Sequence, residues 1–430
     1  MDLTIHRGTK EIGGSCVEVS AGETRLILDV GMPLVTPERE PFDSSVIRKK
    51  PLQELIADGV VPQVPGLFDD GTPPAAILLT HSHLDHSGLL HLTKPEIPIH
   101  ATSGTSKMML AAALFGGQQS LDSNRHAKVM SGEPFQVGGF TITPLAVDHS
   151  CFGSVAYLLE ADGKTLLYSG DLRLHGRKPG MIRSLVAEVG PRNIDALVME
   201  GTHVGAGRAK GKTEYDLENV IHDHICSAPG LVLACFSPID VDRVVTYYKA
   251  AKRAGRIFVA DAYTAFVMYL VASESALPQP TKAKDVAVYF NKSFEQRNRQ
   301  TVAAKIGTTG ISLEEIRAQP EKYAMVFRPS MSRLDFNHQL PPQSRCLYSF
   351  WQGYLEKPDW VQLRQEIAAA GGDFIPAHAS GHIYEEDLVE LVKQLNPKQV
   401  MPIHTFEPGG FAQHFPHAVL LQDGQRYSIG

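Results

Sequence analysis

The sequence predicts an α/β chain, and three patterns carry that expectation. Short β-rich segments broken by turns fill the first 200 residues, the middle alternates strand, helix and strand, and the last stretch sets a helix before a strand. Residues 24–30 are β-rich and run into Gly31, with Gly22 and Glu23 marking the hairpin before them. Residues 75–79 form an apolar run after Pro73-Pro74 and open onto a polar loop at Thr80. Further strands are expected at 140–145, 154–160 and 165–168, the last two joined by the turn Ala161-Asp162-Gly163. In the middle, a strand at 231–236 precedes a helix whose apolar positions Val241, Val244, Val245 and Tyr248 fall at i, i+3, i+4 and i+7. Gly255 closes that helix and residues 256–260 are the next strand, which makes a βαβ unit with a parallel sheet. The stretch 280–325 carries no clear period. Near the end Leu388, Leu391, Val392 and Leu395 repeat the helical spacing, Asn396-Pro397 stops it, and residues 399–403 form a strand that delivers His404.

Composition bounds the function. The 430 residues are 43% hydrophobic and 20% charged, enough for two or three domains or one domain with a large insertion, which argues against a disordered chain. The longest apolar stretches, 75–79 and 111–115, are too short to span a bilayer, and Met1-Asp2-Leu3-Thr4-Ile5-His6 lacks the basic-then-apolar order of a secretory signal. Five scattered cysteines with no C-x-x-C pair suit neither a disulfide framework nor a cysteine-rich zinc module and fit a reducing cytoplasm. The net charge of −6 predicts no polyanion partner by itself, but residues 206–355 hold 19 Lys+Arg against 14 Asp+Glu, so a basic middle joins an acidic remainder.

The densest chemical signal is Thr80-His81-Ser82-His83-Leu84-Asp85-His86-Ser87-Gly88, an H-x-H-x-D-H run directly after a buried strand. His81 and His83 alternate and can reach one ion, while Asp85 and His86 turn to a second. Imidazole and carboxylate suit Zn²⁺, with Mn²⁺ as the competing ion. A two-ion site needs further donors, and strand ends supply them at His149, Asp171 and His404.

This order of donors resembles the metallo-β-lactamase fold superfamily and, within it, the nucleic-acid-processing β-CASP branch, above all ribonuclease J-like enzymes. Glu200-Gly201-Thr202-His203 resembles the branch's acidic motif A, Ala379-Ser380-Gly381-His382 its motif B, and Pro402-Ile403-His404 its motif C. The resemblance implies an αββα sandwich with an inserted Rossmann-like α/β domain, divided as 1–205, 206–355 and 356–430. It implies two Zn²⁺, one on His81, His83 and His149, the other on Asp85, His86 and His404, with Asp171 bridging and Asp29 supporting the ligand loop from behind. The implied catalytic residues are Asp85, Glu200 and His382. Glu200 would orient a metal-binding histidine, and His382 would contact the scissile phosphate or protonate the leaving oxygen, with Ser380 and Gly381 beside it on the substrate.

Such a site suits phosphodiester hydrolysis by a metal-bridged hydroxide. A histidine at motif C is, in the family, associated with RNA-processing members, so the expected substrate is single-stranded RNA. The expected setting is the cytoplasm with no membrane partner, and self-association stays open. A DNA nuclease, an ester or thioester hydrolase and a silent RNA-binding subunit are the alternatives. In the insert, Arg243, Lys249, Lys252, Arg253 and Arg256 either follow a phosphate backbone or solvate a helix face. The aromatic run 348–354 reads as an interdomain core strand ahead of a base-stacking platform. The glycine-basic stretch 205–212 reads as a mobile loop without the spacing of a phosphate-binding P-loop.

Overall fold

In the computed structural model, which describes residues 1–207, 209–295, 299–307 and 310–430, the strands assemble into three sheets. The first has seven strands in the order Arg426–Ser428, Asp2–Arg7, Cys16–Ala21, Thr24–Leu28, Ala76–Leu78, Ile99–Thr102 and His126–Val129. The second has six, in the order Val400–Ile403, Ala196–Glu200, Lys164–Tyr168, Val155–Ala161, Phe140–Ala146 and Phe135–Val137. Alternation along each strand sorts the side chains. Leu26 and Leu28 point with Leu3, Ile5 and Val17 toward Phe140, Tyr157, Leu159 and Val198 of the second sheet, closing a core between the two. Ile27 points the other way, onto Leu55 and Met109 of the covering helices. On the far face of the second sheet, Leu158, Leu167 and Leu197 pack with helices Pro179–Val189 and Glu385–Leu395. The result is helix, sheet, sheet, helix, as expected.

The third sheet is wholly parallel, in the order Val286–Tyr289, Ile257–Asp261, Tyr323–Val326, Val232–Cys235, Arg345–Tyr348 and Asp373–Pro376. Its βαβ unit is the one expected from periodicity, with helix Val241–Arg253 between Val232–Cys235 and Ile257–Asp261. These two strands do not touch; Tyr323–Val326, from the stretch that showed no clear period, lies between them. Strand pairing also carries this sheet to Pro376, past residue 355 where the insert was expected to end. Asp373–Pro376 hydrogen bonds to Arg345–Tyr348, and no composition shift marks that pairing in the sequence. The stretch 205–212 includes Arg208, which lies outside the described residues. Among the described residues no helix is long and apolar enough to cross a membrane.

Candidate metal centre

Four strands of the second sheet end at one edge. Lys164–Tyr168, Ala196–Glu200 and Val400–Ile403 run parallel, and Phe140–Ala146 points the same way because two antiparallel pairings separate it from Lys164–Tyr168. Their C-terminal ends therefore bring Asp171, Glu200, His404 and His149 together. From the first sheet, the fully buried Ala76–Leu78 delivers the 80–88 loop to the same place. That loop is extended through His83, at φ −63° and ψ 148°, and then turns helical at Leu84–Ser87. The switch sends His81 and His83 one way and Asp85 and His86 the other. Asp85 O accepts from Ser15 N–H and His86 O from Val30 N–H, and Gly31 sits so close that a Cβ there would overlap the Asp85 carbonyl.

Among the described residues, potential ligand atoms fall into two principal groups, His81, His83 and His149, and Asp85, His86, Asp171 and His404, and a third, Asp171, Glu200, His382 and His404, that overlaps the second, each within 4.8 Å. His83 Nδ1 lies 3.1 Å from both His81 Nε2 and His149 Nε2. His86 Nε2 is 3.0 Å from Asp171 Oδ2, and His404 Nε2 is 3.2 Å from Asp85 Oδ2. Asp171 Oδ2 also stands 3.8 Å from His81 Nε2, 3.9 Å from His149 Nε2 and 3.8 Å from His404 Nε2, so it is shared by the two groups.

Outer hydrogen bonds decide which nitrogen each imidazole presents. His149 Nδ1 donates to Gly381 O at 2.6 Å, leaving a lone pair on Nε2. His86 Nδ1 donates to Asp29 Oδ2 at 2.8 Å, which turns Nε2 toward Asp171 Oδ2. Thr80 Oγ1 donates to Asp29 and so accepts from His81 Nδ1 at 3.0 Å; Thr202 Oγ1 donates to Glu200 Oε2 and so accepts from His404 Nδ1 at 2.9 Å. Asp29 also accepts from Thr80 N–H and the Tyr168 hydroxyl. Asp29 and His404 both adopt left-handed backbone, at φ 58° and 55°, costing on the order of 1 kcal/mol each. At both, the turn at a strand end aims a side chain into the cluster.

The electrostatics suit cations. Burial holds His81, His83 and His149 below the ordinary imidazole range, His83 at about 4, so all three are neutral donors. Burial opposes charge on His86 too, but the Asp171 and Asp29 carboxylates outweigh it and hold a proton where a cation would otherwise sit. Asp171 is held well below the carboxylate range, against burial, by His404, His86 and His382. Asp171 Oδ1 is buried and has no hydrogen-bond partner among the described residues, an orphaned anionic oxygen that a cation would satisfy. The donor set fits two divalent ions.

His382 borders both groups, partly exposed, with Nδ1 3.1 Å from Glu200 Oε2 and 3.7 Å from Asp171 Oδ2. Burial is outweighed by the Glu200, Asp171 and Asp85 carboxylates, which push its imidazole up to about 9. Glu200 therefore touches His382 directly and reaches His404 through Thr202. Ser380 and Gly381 use their polar atoms on the protein itself. Ser380 Oγ accepts from His382 N–H and pairs with His203 Nε2, Ser380 O meets Arg173 and His175, and Gly381 O holds His149.

The basic residues of the insert divide. Arg243 is buried and bonds Glu214, Ser349 O and Ala379 O, and Arg256 is buried against the carbonyls of Ala228, Gly230 and Tyr323. Neither faces solvent, so neither follows a phosphate backbone. Lys249, Lys252 and Arg253 are exposed. Sequence reasoning assigned no role to Arg173, which is buried at the junction of the two lobes with Asp148, Glu214 and Asp242 around it. Its partners are scattered along the chain and leave no local pattern.

Residues 54–246 match the family profile described as the Beta-lactamase superfamily domain, and residues 376–413 that of the Zn-dependent metallo-hydrolase RNA specificity domain. The chain is 23% identical to a protein named Ribonuclease J from Sinorhizobium meliloti, covering 85% of this chain and 63% of that protein. A Ribonuclease J from Pyrococcus abyssi is also 23% identical, covering 98% of this chain and 92% of that one. The chain spans about three fifths of the length of the first curated relatives it matches. A solved structure of a protein of unknown function from Enterococcus faecalis V583 shares the fold, with a TM-score of 0.78 at 21% identity over 99% of both chains.

Proposed function

The chain belongs to the metallo-β-lactamase superfamily, carrying a Zn-dependent metallo-hydrolase RNA specificity domain, and from that premise we propose that it is a cytoplasmic di-zinc ribonuclease that hydrolyses phosphodiester bonds of single-stranded RNA. The observation that carries this reading is the meeting of two ligand groups at Asp171 beside a histidine locked by Glu200. His81, His83 and His149 would hold one ion and Asp85, His86 and His404 the other, with Asp171 between them; Mn²⁺ is the competing metal. Bound there, the pair supplies an acidified water and charge for the phosphate oxygens.

The chain's own residues do the rest. His382 Nδ1 donates to Glu200, so Nε2 is the nitrogen that meets the phosphate or passes a proton to the leaving oxygen. Thr202 couples His382 and His404 to the same carboxylate. Ser380 and Gly381 act by positioning His382 and His149. RNA is supported by the RNA specificity profile over 376–413 and by relatives named Ribonuclease J. The division we propose is 1–205, 206–376 and 377–430, the second crossing moved from 355 because Asp373–Pro376 pairs in the third sheet.

The test uses 5′-labelled and 3′-labelled single-stranded RNA and matched DNA, with wild type and Asp85→Ala after metal content is determined. RNA cleavage by wild type alone is expected, and the label that releases mononucleotides first gives the polarity. Cleavage of DNA only, or of neither with two ions bound, would overturn the reading.

A further inference from the structure

The run 348–354 splits in the structure. Tyr348 is buried, packing edge-on to Trp360, whereas Trp351 and Tyr354 are 53% and 38% exposed, among the most exposed large apolar side chains described. The two meet edge to face at 5.6 Å between ring centres. Their arrangement is built: the Tyr348 hydroxyl donates to Trp351 O at 2.7 Å, and a Cβ at Gly353 would overlap the indole. Lys357 Nζ sits 4.4 Å from the Tyr354 ring centre, leaving a cation beside the pair.

Position gives the pair its meaning. It follows the C-terminal end of strand Arg345–Tyr348, whose parallel neighbour Asp373–Pro376 leads into Ser380, Gly381 and His382. The two exits are tied together, since His378 Nδ1 donates to Ser349 O and Ala377 N–H to Tyr348 O. On the other lobe Leu34, 39% exposed, lies against the same point beside Asp85 that a Cβ on Gly13 would occupy. Leu34 thus adjoins a residue of the centre, and the aromatic pair stands at the strand exit beside the one that leads to His382.

We propose that Trp351 and Tyr354 form a stacking platform for a nucleobase of single-stranded nucleic acid next to the scissile phosphate, with Leu34 on the opposite wall and Lys357 for an adjoining phosphate. This inference rests on the ribonuclease reading and deepens it. Aromatic stacking is indifferent to base identity, because every base has a π-face. The platform therefore makes the enzyme tolerant of sequence and demanding of an unpaired base.

The chain has two tryptophans, and Trp360 is only 8% exposed, so Trp351 is a natural reporter. Titrating metal-loaded protein with a phosphorothioate-linked RNA hexamer is expected to quench emission. Trp351→Phe is expected to remove the quench while anisotropy of labelled RNA still reports binding. The Trp351→Ala/Tyr354→Ala pair is expected to raise KM for RNA about ten-fold or more with zinc content unchanged, and Tyr354→Phe to retain wild-type KM. A hexamer series with one abasic position moved along the strand tests the same contact from the other side. One position is expected to weaken binding to wild type and to have no further effect on the double variant. RNA cleavage with KM unchanged in the double variant, or an abasic scan without a sensitive position, would overturn the platform alone. Failure of wild type to bind or cleave any RNA would overturn the ribonuclease reading and the platform together.

Discussion

The two halves of the candidate centre come from one loop and one sheet edge, yet they are electrostatic opposites. His81, His83 and His149 form a half of imidazoles kept neutral by burial, backed by the Gly381 carbonyl and the Thr80 hydroxyl. Asp85, His86, Asp171 and His404 form a half in which two carboxylates face two imidazoles, with Asp29 as a third carboxylate behind His86. The difference teaches how a chain prepares two cation sites a few ångströms apart. One half offers lone pairs without charge, and the other sets carboxylates around a His86 imidazole that holds a proton until a cation arrives.

The shared residue is the place to break the comparison. Asp171→Ala is expected to reduce bound zinc from two ions per chain to one or fewer and abolish turnover, because Asp171 Oδ2 approaches both groups; metal analysis by mass spectrometry checks it. Retention of two ions would show that the halves are independent. Next, His382→Ala is expected to lower kcat by about 10²–10⁴-fold with both ions retained, since His382 lies outside both three-ligand sets. Loss of metal in that variant would make it a ligand instead.

Asp29→Asn sharpens the contrast from behind. It removes the carboxylate that His86 Nδ1, Thr80 and Tyr168 all donate to, and about 10–100-fold weaker metal retention is expected, read by competition with a chelator. The carboxylate half should lose its ion first. Acid should separate the halves in the same order. A ligand must shed its proton to bind metal, and His86 is held above the ordinary imidazole pKa while His83 lies at about 4. As pH falls, zinc is therefore expected to leave in two steps, one ion per chain remaining in the intermediate range. Simultaneous release would sink the assignment.

The smallest effect concerns the metal-stripped protein. His382, raised from 6.5 to about 9 by Glu200, Asp171 and Asp85 against burial, contributes stability that is full below 6.5 and lost as pH rises through about 9. A Tm decrease of a few degrees across that window is expected, and is expected to be absent in His382→Gln.

Much of the centre is local and so is legible in the sequence. The H-x-H-x-D-H run is adjacent along the chain, and alternation marked most of the strands that deliver His149, Asp171 and His404. What stayed hidden is long-range. Arg243 and Lys249 share one helix, but only the lobe packed against it, with Glu214, Ser349 and Ala379, shows that Arg243 is buried and Lys249 exposed. Asp373–Pro376 likewise has no signature of its own; its membership of the third sheet is a matter of hydrogen bonds to Arg345–Tyr348.

By itself the sequence determined the donor types, their order along the chain and the strands that would carry them, because ligand chemistry and hydrophobic period are properties of neighbouring residues. Only the tertiary structure decided that Glu200 reaches His382 directly, that the polar atoms of Ser380 and Gly381 bond within the chain, and that the 348–354 run divides into a core tyrosine and an exposed pair. Each of these depends on which nitrogen, oxygen or ring face survives after neighbours hundreds of residues away have been packed against it.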